Sequence, residues 1–210
     1  MDVSNLLLNS NQLIHWFNAL RNLPEGERTR ALEAFWAGQL DSKCWLVNTL
    51  NDYVNGPSNI YIFGGWIGVL SSMLFQCAKF DVGNIRSIDL DPWCESIADT
   101  VCQPYTSSGR FKAITANMCQ FGYDWDIYPD IVINTSTEHI DQATYDIWWD
   151  QIPTNTMVVL QGNNFFDCGE HVRCSSSLLE FQRMNYAINP LWSGVLKHDL
   201  YDRYMVIVKK

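Results

Sequence analysis

Long apolar runs are missing from this 210-residue sequence. The longest, Tyr61 to Phe75, is broken by Gly64, Gly65, Gly68, Ser71 and Ser72 and falls short of the roughly 20 residues that a membrane helix needs. No membrane partner is expected. Basic residues are scarce as well: 14 Lys plus Arg against 23 Asp plus Glu give a formal charge of -9. Sequence-independent affinity for a phosphate backbone comes from clustered Lys and Arg, so nucleic acid is disfavoured and a small-molecule or protein partner is favoured. The N-terminus, MDVSNLLLNSNQLIHW, has an acid where a signal peptide carries its basic region, and it lacks a small-residue cleavage site. A cytoplasmic location is the expectation. An even cysteine framework is absent too. The seven cysteines, at 44, 77, 94, 102, 119, 168 and 174, read as reduced thiols, mostly used in packing.

What is present is a globular composition, 47% apolar and 18% charged. A chain of this length can bury about 70% of its unfolded surface without a disulfide or metal staple. Its texture changes near Gly56 and Pro57, which divides it into a helical cap over residues 1–56 and a second part over 57–210. In the first part Leu6, Leu7, Leu13, Ile14, Phe17 and Leu20 recur at helical spacing, Pro24 breaks the run, and helices are expected over Ala31 to Trp36 and Leu40 to Val54.

From Asn59 onward, short β-branched or aromatic runs alternate with helical ones. Strands are expected at 59–63, 85–89, 111–115, 130–134 and 156–160. Helices are expected over Ile67 to Lys79, Pro92 to Val101, Gln142 to Gln151 and Ser175 to Asn185. Regular alternation implies a parallel sheet covered on both faces. The last two runs, Leu191 to Leu200 and Arg203 to Lys209, sit too close for a helical crossover and imply an antiparallel hairpin. The expected fold class is therefore α/β: a Rossmann-like, mostly parallel seven-stranded sheet with a C-terminal antiparallel hairpin and an N-terminal helical cap.

Two signals at the strand ends point to a nucleotide. The first strand runs into Phe63-Gly64-Gly65-Trp66-Ile67-Gly68 and then a helix, where glycines permit tight turning and the helix N-terminus offers unpaired N–H groups. Many α/β proteins carry such a turn with no ligand. The second strand, however, ends in Asp89-Leu90-Asp91-Pro92, and an acid about 20 residues beyond the glycines accepts hydrogen bonds from ribose hydroxyls in nucleotide-binding folds. Asp91 also reads as the cap of the helix that Pro92 begins. An acid at Asp89, closing an apolar strand, has no packing reason to be there.

The fourth strand ends in Asn134-Thr135-Ser136-Thr137-Glu138-His139, the most polar cluster at any strand end. Ligands in open parallel sheets sit outside these carboxyl ends, so Asn134, Glu138 and His139 are placed to meet a substrate, with Glu138 or His139 as a general base. An alternative makes Ser136, Thr137 and Glu138 a helix cap. After the fifth strand, the amide-rich Gln161-Gly162-Asn163-Asn164 leads to His171. Asn163 and Asn164 are candidates for substrate binding and His171 for a second acid/base group. No metal is expected. Cys168, His171 and Cys174 lack the second ligand pair of structural zinc sites, and Asn134, Asn163 and Asn164 offer neutral amides where a hard cation prefers carboxylates. Tyr145, Trp148, Trp149, Trp36 and Trp45 read mostly as core.

Over Asn59 to Lys210 the glycine turn, the Ile-Asp-Leu-Asp-Pro strand end, the Asp130-Ile-Val-Ile-Asn134 strand and the terminal hairpin together resemble class I S-adenosylmethionine-dependent methyltransferases. The Gly-Gly-Trp turn paired with Asn-Thr-Ser-x-Glu-His further resembles a divergent branch found in phage genomes. The resemblance implies S-adenosyl-L-methionine as cofactor. Gly64, Gly65 and Gly68 would lie against its methionine part, with Trp66 beside them. Asp89, with Asp91 nearby, would hold the ribose, Asn117 and Met118 would flank the adenine, and Asn134 is a further candidate cofactor contact. The sequence departs from the family in its first strand, where Tyr61-Ile62-Phe63 replace an acid and Trp66 interrupts the glycines. It also lacks the Asn-Pro-Pro-aromatic motif of base amino-methyltransferases.

The implied activity is methyl transfer to a small molecule or protein. Alternatives are an enzyme that transfers the aminocarboxypropyl group or cleaves the cofactor, and a non-catalytic module that keeps the fold. A nicotinamide dehydrogenase is opposed by the hairpin. The N-terminal helices suit either a substrate-covering lid or a homodimer contact.

Overall fold

A computed structural model describes residues 8–124 and 126–210. Among these, seven strands form one sheet in the order β3-β2-β1-β4-β5-β7-β6, from β1 (Ser58–Phe63), β2 (Val82–Asp89), β3 (Phe111–Thr115), β4 (Ile131–Asn134), β5 (Met157–Asn163), β6 (Trp192–Lys197) and β7 (Asp202–Lys209). Only β7 runs against its neighbours β5 and β6; the other pairings described are parallel. The expected α/β sheet with a terminal hairpin is present. The chain divides into two compact units, Met1–Ala116 and Asn117–Lys210.

In the first unit, α1 (Ser10–Arg21), α2 (Glu25–Leu32) and α3 (Ala37–Leu50) precede β1. Asn9 caps α1 by accepting a bond from the Asn11 N–H. Leu6 and Leu7, counted toward the apolar stripe of this helix, lie outside the described residues. Ile14 and Phe17 face solvent, and the buried face is Gln12, Trp16 and Ala19. The reason is polar: Trp16 Nε1 and Gln12 Nε2 both donate to Ser72 Oγ, at 2.8 and 3.1 Å, which fixes α1 against α4 (Val69–Cys77). The second helix begins at Glu25, directly after Pro24, and ends in a 3-10 turn over Glu33–Phe35, so the expected Ala31 to Trp36 helix covers only its end. Trp36 is half exposed rather than core, while Trp45 is buried. Ile60, Tyr61, Ile62 and Phe63 of β1 are all buried, as a central strand covered on both faces requires. Beyond β2, α5 (Trp93–Val101) is followed by a short α6 (Gln103–Ser107), with no counterpart in the sequence reading.

In the second unit, β4 and β5 pair in register from Ile131↔Met157 to Asn134↔Leu160. The fifth strand does not stop at Leu160. Gln161, Gly162 and Asn163 continue it because they pair with Met205, Tyr204 and Arg203 of β7. Gly162 is required here, since a Cβ would lie 2.5 Å from Phe181 of α8 (Leu178–Met184) and 2.8 Å from Thr137 Oγ1. Tyr145, Trp148 and Trp149 of α7 (Gln142–Gln151) are buried as expected.

Candidate active site

In the first unit the chain leaves β1 through a strained turn. Gly64 and Gly68 adopt left-handed conformations, with φ of 66° and 78°, and so does Trp66, with φ of 49°. A bulky side chain is rarely held there. Two hydrogen bonds fasten the turn to the end of β2. The Gly65 N–H donates to the Ile88 carbonyl at 3.2 Å, and the Trp66 N–H donates to Asp89 Oδ2 at 2.9 Å. Gly65 has no room for a side chain, because a Cβ would fall 2.0 Å from the buried Ser87 Oγ. Gly68 is less tightly confined, with Ala98 of α5 at 3.1 to 3.3 Å from its virtual Cβ.

Asp89 does have a structural reason to close β2. Its Oδ2 holds the turn and its Oδ1 accepts from the Asp91 N–H at 3.1 Å. Each oxygen keeps a second lone-pair direction, and the residue is only partly buried, so a hydroxyl can still donate to it. Asp91 is more fully committed. Its Oδ1 accepts from the Trp93 N–H at 2.9 Å, and its Oδ2 pairs with Arg30 of α2 at 2.5 Å. The Arg30 guanidinium, then the Trp93 N–H, hold the Asp91 carboxyl below its ordinary range. Arg30 also lies 4.2 Å above the Trp93 ring, whose Nε1 donates to Glu27, so α2 is latched over the β2 end by residues that no local pattern singled out.

In the second unit, Asn117 Oδ1 accepts from the Cys119 N–H and begins a 3-10 turn at Met118. Asn134 is fully buried; its Oδ1 accepts from the Ser136 N–H, while its Nδ2 has no partner. Glu138 lies on a 3-10 turn, Thr137–His139, and is 2% exposed. The helix-cap alternative does not describe it, for its carboxylate turns inward. Oε1 accepts from Arg203 Nη1 and Asn163 Nδ2, both at 2.6 Å, and Oε2 has no partner. Asn163 is therefore not an outward-facing substrate contact. Its other end, Oδ1, accepts from the Phe165 N–H, and both ends of the amide are engaged. Asn164 likewise locks β5 to β7 through two bonds with the Asp202 backbone.

His171 reaches Glu138 because the loop after β5 folds back on it: the Val172 and Arg173 N–H groups both donate to the Glu138 carbonyl, at 2.9 and 3.0 Å. Arg173 anchors the loop, donating to Gln142 and Asn185 with its guanidinium 3.9 Å from the Tyr145 ring. The His139 and His171 rings meet edge to face, with centroids 4.7 Å apart. His171 Nδ1 lies 2.8 Å from the Phe165 carbonyl, which only accepts, so Nδ1 carries the proton and Nε2 is left with a lone pair. Cys174, 3.6 Å from that Nδ1, has its thiol pushed up to about 11 by burial and then by the Glu138 charge. Glu138, His139 and His171 thus come together as the strand-end reading requires. Arg203 and Arg173, which hold them, were missed; each is 30 or more residues from Glu138 in sequence, and nothing local marks it.

The fold defined by this sheet, with its reversed terminal strand, is that of the class I S-adenosylmethionine-dependent methyltransferases. Among solved structures, an N-methyltransferase NodS from Bradyrhizobium japonicum, in complex with S-adenosylhomocysteine, is similar with a TM-score of 0.64 at 13% identity, covering 93% of this chain and 98% of that one. A geranyl diphosphate methyltransferase in complex with S-adenosylmethionine gives 0.59 at 12% identity, over 92% and 94%. The Podospora anserina methyltransferase PaMTH1, bound to S-adenosylhomocysteine, gives 0.57 at 14% identity, over 98% and 91%. No protein-family model and no curated protein sequence matches the chain. None of the helices described is long and apolar enough to cross a membrane.

Proposed function

We propose that this chain binds S-adenosylmethionine and transfers its methyl group to a small-molecule or protein acceptor. The observation that carries the reading is the Gly64–Gly68 turn: left-handed at three positions, closed to any side chain at Gly65, and tied through Trp66 to the acid that ends β2. Stored backbone strain of this kind accumulates at ligand sites, where close approach of the main chain is needed. These residues fit the group. Gly64, Gly65 and Gly68 present bare backbone to its methionine part, and Asp89 retains lone pairs for the ribose. Asp91 contributes by latching Arg30 rather than by contact. Asn117 and Met118 keep the adenine-flanking role that the resemblance assigns them, and Asn134 remains a candidate cofactor contact. The bound cofactor supplies a sulfonium-linked methyl group open to in-line attack.

The chain's own contribution is alignment, exclusion of water and, for a protonated acceptor, removal of one proton. His171 Nε2, with its tautomer set by the Phe165 carbonyl, can take a proton from a hydroxyl or amine. His139, exposed beside it, can pass that proton to solvent. Glu138 is held by Arg203 and Asn163 and positions the pair.

Calorimetric titration with S-adenosylmethionine, S-adenosylhomocysteine and NAD, on the intact chain and Asp89→Ala, tests the cofactor. Binding of the first two, weakened at least about tenfold in the variant by loss of a hydrogen-bonded pair, supports the reading. Binding of none of them refutes it. S-adenosylhomocysteine among the products marks methyl transfer, whereas methylthioadenosine would mark transfer of the aminocarboxypropyl group.

A further inference from the structure

We infer that Glu138, His139 and His171 form a binding site for a divalent first-row transition metal, with zinc the natural occupant by donor type. Their ligand atoms lie within 4.8 Å of one another, the one such trio of His, Cys, Asp or Glu side chains among the described residues. Donors around tetrahedral zinc stand about 3.3 Å apart, as bonds of 2.0 to 2.1 Å dictate, so closure needs a movement of about 1.5 Å. The exposed side chain of His139 can supply it by rotation.

Three features make this more than a coincidence of side chains. The first is the surplus oxygen: Oε2 of Glu138 is buried without a partner, a costly arrangement unless a cation completes it. The second is the outer support. Ligating histidines donate their other ring N–H to a carbonyl, and ligating carboxylates are themselves hydrogen-bonded. His171 Nδ1 has Phe165 O at 2.8 Å, and Glu138 Oε1 has Asn163 and Arg203 at 2.6 Å. The third is donor type, since two imidazoles and one carboxylate suit zinc, iron or nickel and not magnesium or calcium. In sequence neither Cys168, His171 and Cys174 nor the three asparagines suit a metal, while the His139 turn and the His171 loop, 32 positions apart, meet only in the fold.

Three protein ligands leave a coordination position open on the solvent side, as in catalytic zinc sites. Because Arg203 already neutralises Glu138, the ion would keep its full charge. The open position therefore suits an anionic oxygen or sulfur donor, such as hydroxide or an acceptor's alkoxide or thiolate. With the ion bound, His139 and His171 serve as ligands in place of the proton-transfer role proposed for the metal-free chain, and the inference stands whether or not the chain uses S-adenosylmethionine.

The test is titration of the chelator-stripped full chain with Zn²⁺ by calorimetry, and with Co²⁺ by visible absorption. One equivalent should bind, and the cobalt spectrum should lack a thiolate charge-transfer band. His139→Ala, a surface change that should leave the circular dichroism spectrum unaltered, should weaken Zn²⁺ more than about 100-fold, the upper end of what loss of an outer-shell partner does. His171→Ala should do the same, and His15→Ala should change nothing. Absence of binding, binding that survives His139→Ala, or a thiolate band abolished by Cys174→Ser would each overturn the site.

Discussion

Removing the guanidinium at position 203 should be among the most damaging single changes to this chain. Arg203 and Glu138 form an ion pair at 2.6 Å whose side chains are 7% and 3% exposed. With Arg203→Met, Glu138 Oε1 keeps only Asn163, and Oε2 already lacks a partner, so a buried carboxylate is left uncompensated. Arg203 also donates to the Thr135 carbonyl, which loses that donor. Breaking one side of a buried pair costs about 3 to 5 kcal/mol. At about 2 to 4 °C per kcal/mol for a chain of this size, the melting temperature should fall by roughly 6 to 20 °C. The assay is urea denaturation and thermal melting in the presence of chelator, so that no bound ion compensates for the lost charge. Adding Glu138→Gln should recover much of the loss, because removing both charges together relieves the desolvation penalty. A loss under about 1 kcal/mol for Arg203→Met, the ordinary worth of a surface pair, would refute the reasoning and show that the pair is solvated in solution.

Three further outcomes follow from the turn and its latch. Gly65→Ala places a Cβ 2.0 Å from Ser87 Oγ and should destabilise by about 1 to 3 kcal/mol, read by denaturation; Ser87→Ala in the same chain should restore most of it, since that hydroxyl has no partner to lose. The Asp91 carboxyl should titrate below its ordinary 3.8 in a carbon-13 NMR titration, and Arg30→Ala should raise its midpoint without abolishing the Trp93 contribution. Because the folded-state value is the lower one, the stabilisation is complete above the ordinary value and disappears as pH falls through the folded value. Trp66→Gly should leave stability within about 1 kcal/mol, as relief of left-handed strain offsets the freer unfolded chain, yet weaken S-adenosylmethionine in calorimetry; unchanged affinity with a large stability loss would make Trp66 a packing residue.

The strands and their order of appearance were legible because buried parallel strands are continuous apolar runs, as in Ile131-Val132-Ile133 and Val158-Val159-Leu160. The glycine turn was legible for a similar reason: few residues can occupy it. What local pattern could not show was pairing at a distance. Gln161, Gly162 and Asn163 carry no strand signal of their own and are strand only because β7 lies beside them. In α1, Ile14 and Phe17 look like core by spacing, but Ser72 recruits Gln12 and Trp16 and turns the helix so that the apolar pair faces outward. Asp89 illustrates the mixed case. Its position reads as a nucleotide contact, and the bonds it makes to Trp66 and Asp91 supply a structural reason that the strand alone did not reveal.

Several violations of ordinary folding economy gather at the strand ends. Trp66 in a left-handed conformation, Ser87 Oγ beneath Gly65, the buried Asn134 amide and the unpartnered oxygen of Glu138 all fall at or beside the carboxyl ends of parallel strands. Asn9, Asp141 and Ser177, by contrast, cap their helices in the ordinary way. A chain selected for stability alone would relieve these strains with a glycine at 66 or an apolar residue at 138. Local inconsistency gathered at the carboxyl ends of parallel strands is what a site retained for binding would leave. In the first unit the strain is in the backbone, which suits close approach of a nucleoside cofactor. In the second it is an unpartnered carboxylate oxygen near two imidazoles, which suits a proton or a cation. That difference in kind is the reason for assigning cofactor binding to one set of residues and acceptor chemistry to the other.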